Sequence, residues 1–595
     1  MNQLTGAHVM SYGCDDTITA AALHNFYKLH MQLDHHYDVY LDVEIDAMYA
    51  GAQAFVDGVD ISMKRLSQLV AEDDAVYSKA WATMREYLIA NNWVGSVPPT
   101  YTTEITAAEV KEAYEIYTGE ELKTKVRKIE KLAEACVEAN QPLFAAALLA
   151  CAQTPAGAEA FTQLVRSRFT GDPAFKVNSP KQKAVVLYEL LSLPIRLRGE
   201  VTDNMRAGGI KEGNPKTSAL AMAYALKYDL PEDSEIRPIL TALSDMQMVQ
   251  TRRGLYWHTY PNFVHWKTGK VHPSLRQSAT NTRRHTAGKP NVQQVSKHPK
   301  AEGETPKVRE VYVPHHPDAV IVSMDEAAQE LRIIADYSRD QNMVDCFVGD
   351  HKKDMHALTG SSILRDQGPA FAHWSYDEFA KAYANKHHPD YALLKEYRTL
   401  GKKVAFTTEY GAQAPKLAET LIVSEEEAQG FIDAKEATFP QARAWKTSVE
   451  EEAKSKGHVR TKLGAVRHLA DALMSDDRYE ASKASRQAVN FCVQSSSAEM
   501  IKKAIGAMWR AGIRFKYDCR FLFPVHDELV FSCAKKDLLQ FIPEVHELMV
   551  RSYADMRIPL ESSISFGRSF GPEDQIEIGS LPTKEAIEHG LSFVR

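Results

Sequence analysis

The chain has 595 residues, 44% of them hydrophobic and 25% charged, with a net charge of −7. That balance is ordinary for folded globular domains, the length allows several subdomains, and a low-complexity or fibrous chain is excluded. No apolar run approaches a membrane span, no basic-then-apolar signal opens the sequence, and seven scattered cysteines lack metal-finger spacing, so reduced thiols in a cytosol-like compartment are expected.

Residues 20–235 read as mainly helical: Met63–Val70, Ala108–Tyr117, Leu122–Asn140 and Pro142–Ala152 are amphipathic or alanine-rich. From Arg252 to His316 there are twelve Lys and Arg against three Asp and Glu, interleaved with Tyr256, Trp257, Trp266 and several histidines. A basic stripe on an acidic body concentrates a polyanion in one groove, although a solvated basic loop has the same composition. Residues 286–310 are the most loop-like part.

Ala319–Met324 reads as a buried strand ended by Asp325, and a helix is expected from Glu326 through Ala335 on the apolar members Leu331, Ile333 and Ile334. A carboxylate between strand and helix suits a catalytic acid or a plain cap. Glu330 then falls a little over one helical turn further on. Asp336-Tyr337-Ser338 lies close by but lacks a preceding apolar strand, and only Asp325 has Glu330 and Arg332 at the fifth and seventh following positions.

Arg398, Lys402, Phe406 and Tyr410 recur every four residues and are followed by Gly411. Steps of four drift only about 40° around a helix, so these side chains form one stripe about 18 Å long. Cations at one end suit phosphates and aromatics at the other suit a sugar and a base, although an amphipathic surface helix with a basic end is the plainer alternative. Arg486, Asn490 and Gln494 repeat the same spacing. Finally, Phe523 to Phe531 places apolar runs on both sides of His526-Asp527-Glu528, which reads as a hairpin with carboxylates at its tip. Such carboxylates are costly unless they meet a cation or another partner, which makes the tip a metal-site candidate.

Together, Asp325 to Arg332, Arg398 to Gly411 and His526 to Glu528 resemble, in order, the three polymerase motifs of the family A DNA polymerases, the group of bacterial DNA polymerase I and several phage replicative enzymes. Supporting matches are Thr268-Gly269-Lys270-Val271-His272, Arg284, Pro290-Asn291-Val292-Gln293, the "KDIH"-like Lys353-Asp354-Met355-His356, and Phe175 to Pro180 in the thumb. The resemblance covers roughly residues 175–575. It implies an α+β right-hand fold: thumb over 21–235 with a helical insertion near 91–169, palm over 236–350 and 486–595, and fingers over 351–485. Tyr12 to Asp16 resembles the last motif of a 3′–5′ exonuclease, so residues 1–20 are expected to be a remnant of that domain, with proofreading lost or supplied by a separate chain. Asp42-Val43-Glu44 mimics the first exonuclease motif but comes after the last, and it fits the start of the thumb better.

The same resemblance implies template-dependent addition of dNTPs to a primer 3′-hydroxyl. Asp325, Asp527 and the backbone carbonyl of Glu326 would hold two Mg²⁺ ions, which Mn²⁺ could replace, with Glu528 in support. His356, Arg398 and Lys402 would grip the triphosphate, Lys402 also serving as a proton donor. Phe406, Tyr410 and Gly411 would meet sugar and base, and Glu330 would exclude a ribose 2′-hydroxyl. Arg284, Asn291, Gln293, Arg486, Asn490, Gln494 and His526 would contact primer-template DNA. The thumb insertion is expected to carry either a processivity-factor site, as in some phage relatives, or a passive helical elaboration; no membrane is involved, and a phage enzyme in the bacterial host cytoplasm is the expected setting. A single-subunit RNA polymerase shares much of this framework, but Glu330 and Glu528 favour DNA. The intact Asp325, Lys402 and Asp527 argue against an inert DNA-binding scaffold. Arg283 departs from the family by replacing the glycine usually found before Arg284, which puts the local DNA path in question.

Overall fold

The computed structural model describes residues 21–34, 36–91, 93, 100–168, 173, 175–199, 205, 212–295, 307–409, 411–553 and 555–594. The exonuclease-like motif near the start, Tyr410, and 296–306 of the loop-like stretch lie outside them. The chain divides into two compact units, one formed by Met1–Ser67 with His258–Arg595 and the other by Gln68–Trp257.

The first unit is built on a five-stranded antiparallel sheet in the order β6-β7-β3-β8-β9. Its strands are β3 (Ala319–Glu326), β6 (Cys519–Val525), β7 (Glu528–Ala534), β8 (Ser562–Gly567) and β9 (Gln575–Gly579). The short pairs β1 (Ser274–Arg276) with β2 (Thr286–Gly288) and β4 (His458–Arg460) with β5 (Val466–His468) stand apart from it. Alternation along β3 sends Val320, Val322 and Met324 into one core with Leu529, Phe531, Ile564 and Phe566. That face is covered by Ile501, Ile505 and Met508 of the 33-residue helix Arg478–Arg510 and by Phe541, Ile542 and Val545 of the helix Leu538–Val550. Ser323 and Asp325 consequently point to the other face.

The helix expected from Glu326 begins only at Gln329. Glu326 stays in the strand opposite Ser562, the Ala327 amide donates to the Glu561 carbonyl (2.7 Å), and Ala328 turns left-handed at φ +52°. Tertiary pairing therefore extends the strand past Asp325, and Glu330 is not on a common helix with it. Asp336 is buried in this helix, ion-paired to Lys462 and accepting from the Arg557 amide.

In the second unit the helix expected over Leu122–Asn140 starts at Ile129. The residues before it are held out of the helix where Lys111 Nζ donates to the Thr124 carbonyl (2.5 Å). Residues 101–165 close on a core of their own, centred on Tyr114, Phe144 and Phe161 with ring centroids 5.2–5.4 Å apart. A second core gathers Met84, Leu88, Leu187, Leu240 and Met246. No helix among the described residues is long and apolar enough to cross a membrane.

Candidate active site

β6 and β7 are joined by the two-residue turn His526–Asp527, with Val525 opposite Glu528 and His526 left-handed at φ +59°. A non-glycine residue in that region costs roughly 1–2 kcal/mol, a strain that gathers at functional turns. β7 lies against β3 with Asp325 directly opposite Glu528, and the Glu326 amide donates to the Asp527 carbonyl at 3.2 Å. Two distant parts of the chain thus deliver Asp325 and Asp527 to one spot. Burial first, and the Asp325 charge second, push the Asp527 carboxyl up to about 7. The fully buried Glu326 carboxyl is also raised, by burial and then by Asp527. Crowded, under-neutralised oxygen donors of this kind fit a hard divalent cation.

Glu528 is engaged by protein groups on both oxygens. Arg309 Nη1 lies 3.1 Å from Oε2, Ser323 Oγ donates to Oε1, and Arg309 also covers the Phe570 ring at 4.1 Å. Arg309 and Ser323 were not foreseen, since nothing local in the sequence marks a pairing across more than 200 residues. Arg332 anchors the strand-to-helix turn by donating to the Ala327 carbonyl (2.8 Å) and pairing with Glu561 (3.0 Å).

Arg284 pairs with Glu330, and both act electrostatically on Asp527. His526 lies in the same field, its imidazole pKa lowered by burial and then by Arg284 and Arg309. Gln293 donates to the Pro524 carbonyl in β6 at 3.2 Å, while Asn291 caps the short turn carrying it. The departure at Arg283 has a structural answer. Arg283 turns inward at φ +58° and pairs with Glu44 (2.5 Å) and Glu499 (2.6 Å), beside Lys502, which reaches Glu44 at 2.7 Å.

The cationic stripe lies on the helix Tyr391–Glu409. Asp354 caps the neighbouring helix Met355–Arg365 through the His356 and Ala357 amides and accepts from Arg398 Nε at 2.7 Å. His356 faces Phe406 with ring centroids 5.9 Å apart, and Lys402 Nζ lies 5.8 Å from the Phe406 ring centre. Burial first, then Arg398 and Lys402, lower the His356 pKa, so the imidazole is neutral among cations. The two helices touch backbone to backbone through glycines. A Cβ on Gly360 would sit 2.5 Å from the Tyr397 carbonyl oxygen, and one on Gly401 would collide with that of His356. Gly401→Ala is expected to part the helices at a cost of about 1–3 kcal/mol, which urea unfolding of the two proteins measures directly.

Gly411 (φ +76°) lies against Arg486, a Cβ there being 3.5 Å from its Cδ. Arg486, Asn490 and Gln494 follow one another along the helix Arg478–Arg510, with Asn490 Nδ2 3.4 Å from Gln494 Oε1. Further along this helix, Ser495 Oγ donates to the Thr282 carbonyl (3.1 Å) and Ser497 Oγ to Gln329, next to Glu330. One helix therefore connects the end of the stripe with the surroundings of the carboxylates.

The chain is similar to known proteins over much of its length. DNA polymerase I of Geobacillus stearothermophilus is 29% identical over 399 residues, covering 66% of this chain and 39% of that protein. The thermostable DNA polymerase I of Thermus aquaticus is 27% identical over 403 residues, covering 68% and 42%. The chain thus spans about two-fifths of the length of these relatives. Among solved structures, the POL domain of Pol1 from M. smegmatis, in complex with DNA primer-template and dNTP, superposes with a TM-score of 0.63 at 21% identity, over 91% of this chain and 72% of that one. It shares the α+β right-hand fold of palm, fingers and thumb. The family model for DNA polymerase family A matches residues 157–572, and the chain belongs to that family.

Proposed function

We propose that this chain is a template-directed DNA polymerase that adds dNTPs to a primer 3′-hydroxyl and releases pyrophosphate. The observation that carries the reading is the meeting of Asp325 and Asp527 at the β3 edge of the β6–β7 turn, with Arg284 and Glu330 beside them. Asp325, Asp527 and the Glu326 backbone carbonyl would hold two Mg²⁺ ions, or Mn²⁺ in their place. Bound there, the ions would lower the pKa of the primer hydroxyl and neutralise charge on the departing phosphates.

The remaining work falls to the chain's own groups. Arg398 and Lys402 grip the triphosphate, with His356 neutral beside them, and Lys402 donates a proton to pyrophosphate. Phe406, with Tyr410 and Gly411 beyond it, takes up sugar and base. Glu330 fills the space of a ribose 2′-hydroxyl once Arg284 leaves it for the minor groove. Donors there, Arg284 and Gln494 among them, test the shape of a base pair without reading its sequence, because every pair offers acceptors at similar positions. Asn291, Gln293, Arg486, Asn490 and His526 complete the primer-template surface, and Glu528 braces the turn. Palm, fingers and thumb are assigned to 236–350 with 486–595, 351–485, and 21–235.

A replicative, phage-encoded role in the host cytoplasm is the setting proposed. A processivity factor would sit on the 91–169 insertion. Primer extension on a long template with dNTPs or rNTPs, with and without added partner proteins, tests the reading. Extension with dNTPs alone is expected, and equal use of both sugars overturns it. The wild type should also incorporate dideoxynucleotides poorly, and Phe406→Tyr should raise their use by at least about tenfold, a gain of ~1.4 kcal/mol.

A further inference from the structure

At the end of the palm sheet away from Asp325 and Asp527, three metal-ligating side chains meet that the polymerase reaction does not use. His315 and His316 lie in the loop that leads into β3, and Asp518 immediately precedes β6. His315 Nε2 is 3.1 Å from Asp518 Oδ1 and His316 Nε2 is 3.2 Å from Asp518 Oδ2. One ligand atom from each of the three lies within 4.8 Å of the others. The register Asp325↔Glu528 and Ala319↔Ala534 puts this cluster about six residues along the strands from the catalytic carboxylates, roughly 20 Å at 3.4 Å per residue.

We propose that His315, His316 and Asp518 form a binding site for one divalent transition-metal ion of the Zn²⁺ class, separate from the polymerase centre. Two imidazoles and one carboxylate are the ligand types that select zinc, cobalt or nickel over magnesium, and the opposite holds for the oxygen donors of the palm. The N···O separations of 3.1 and 3.2 Å run to the two different oxygens of Asp518, so an ion with bonds of about 2.0–2.1 Å would sit between the imidazoles after small side-chain movements. A fourth position would be left to water, because Asp518 and His316 are partly open to solvent while the His315 side chain is only 4% exposed.

The surroundings of His315 are those of a metal ligand. Its Nδ1 lies 2.6 Å from Ser532 Oγ in β7, and Ser532 Oγ also accepts from the His315 amide at 3.0 Å. Without an ion, Nε2 donates to Asp518; an ion there would move the ring proton to Nδ1, which then donates to Ser532 and leaves the Nε2 lone pair for the metal, the arrangement that orients ligating histidines. The Asp518 amide is fixed in turn by donating to Asp537 (2.9 Å). His316 needs one adjustment, since its Nδ1 accepts from the Asp318 amide at 3.1 Å. To ligate through Nε2, that ring must move its proton to Nδ1 and release the amide to water. No proton is released overall, and the adjustment places the affinity below that of a rigid three-ligand centre. An ion here would tie the start of β3 to the start of β6 across the end of β7, acting as a staple on the palm sheet.

Metal-stripped protein, held in excess Mg²⁺ to occupy the oxygen sites, is titrated with Zn²⁺ by calorimetry and with Co²⁺ by visible absorption. The same is done for His316→Ala and for Asp518→Asn, the second nearly isosteric. The wild type is expected to take up one Zn²⁺ with a Kd on the order of micromolar, to give the intense visible bands of four-coordinate Co²⁺, and to melt at least about 2 °C higher with Zn²⁺ present. Each variant should bind at least about tenfold more weakly and lose the melting shift, while primer extension in Mg²⁺ is unchanged. Zn²⁺ affinity equal in all three proteins, or no Zn²⁺ uptake by the wild type at millimolar concentration, overturns the assignment.

Discussion

Asp325→Ala is expected to slow nucleotide addition by at least about a thousand-fold, or ~4 kcal/mol of barrier, while duplex binding is retained and the fold becomes no less stable. The last part distinguishes loss of chemistry from loss of structure. In the folded chain Asp527 is held at about 7 by its burial and by Asp325, above its ordinary 3.8. Between those values the folded chain keeps a proton that the unfolded chain has released. Stability from this group is therefore fully present below 3.8 and is lost as pH rises through 7. Removing the Asp325 charge lets Asp527 ionise more easily, which lessens that loss at pH 8. In metal-free buffer the variant should melt at or above the wild-type temperature at pH 8, although its extension rate has collapsed. The strand itself is secure, because Val320, Val322 and Met324 still pack beneath it. A variant that melts far below wild type, or one that still extends primers within about tenfold of it, would sink the assignment of Asp325.

The parts of the site that were legible in the sequence are those written in local patterns. The apolar runs on both sides of His526-Asp527 specify a hairpin whatever else the chain does, and β6 and β7 flank that turn as read. Spacing by four puts Arg398, Lys402 and Phe406 on one helical stripe, and all three lie in the helix Tyr391–Glu409. The start of the helix after Asp325 was misread because β8 captures Glu326, a contact with residues more than 200 positions away. The same blindness hid the pairing of Arg309 with Glu528 and of Arg283 with Glu44 and Glu499. Neither partner of such a pair carries a signal of its own, since an isolated Arg or Glu reads as surface. Gly360 and Gly401 were legible in principle, as small residues facing each other on adjacent helices, but only once the helices were known to touch.

Arg283→Gly, the change that would restore the family's usual residue, is expected to destabilise this chain by about 2–4 kcal/mol at pH 8, and by clearly less at pH 5.5. Glycine relieves a left-handed backbone, worth roughly 1–2 kcal/mol. Against that, it removes the guanidinium from the buried Glu499 and the partly buried Glu44, and breaking a buried pair costs about 3–5 kcal/mol. The pH dependence follows from both carboxylates. Burial alone would raise Glu44, yet Lys502 and Arg283 hold it below its ordinary value. Its stabilising contribution is present above the ordinary carboxylate value and is lost as pH falls through the lowered one. Glu499 is pushed by burial up to about 7 against the pull of Arg283, so its contribution is lost as pH rises through 7. Without Arg283 the Glu499 value rises further, and the variant pays about 1.4 kcal/mol for each pH unit over which Glu499 must ionise unpaired. Urea unfolding of both proteins at pH 5.5, 7 and 8.5 should show the gap widening with pH, whereas a gap below about 1 kcal/mol at every pH would mean the cluster is not holding the loop. Because Arg284 follows directly and reaches Glu330, the loosened loop should also let more ribonucleotide through in extension assays at pH 8. A substitution that affected stability alone would leave that ratio where it was.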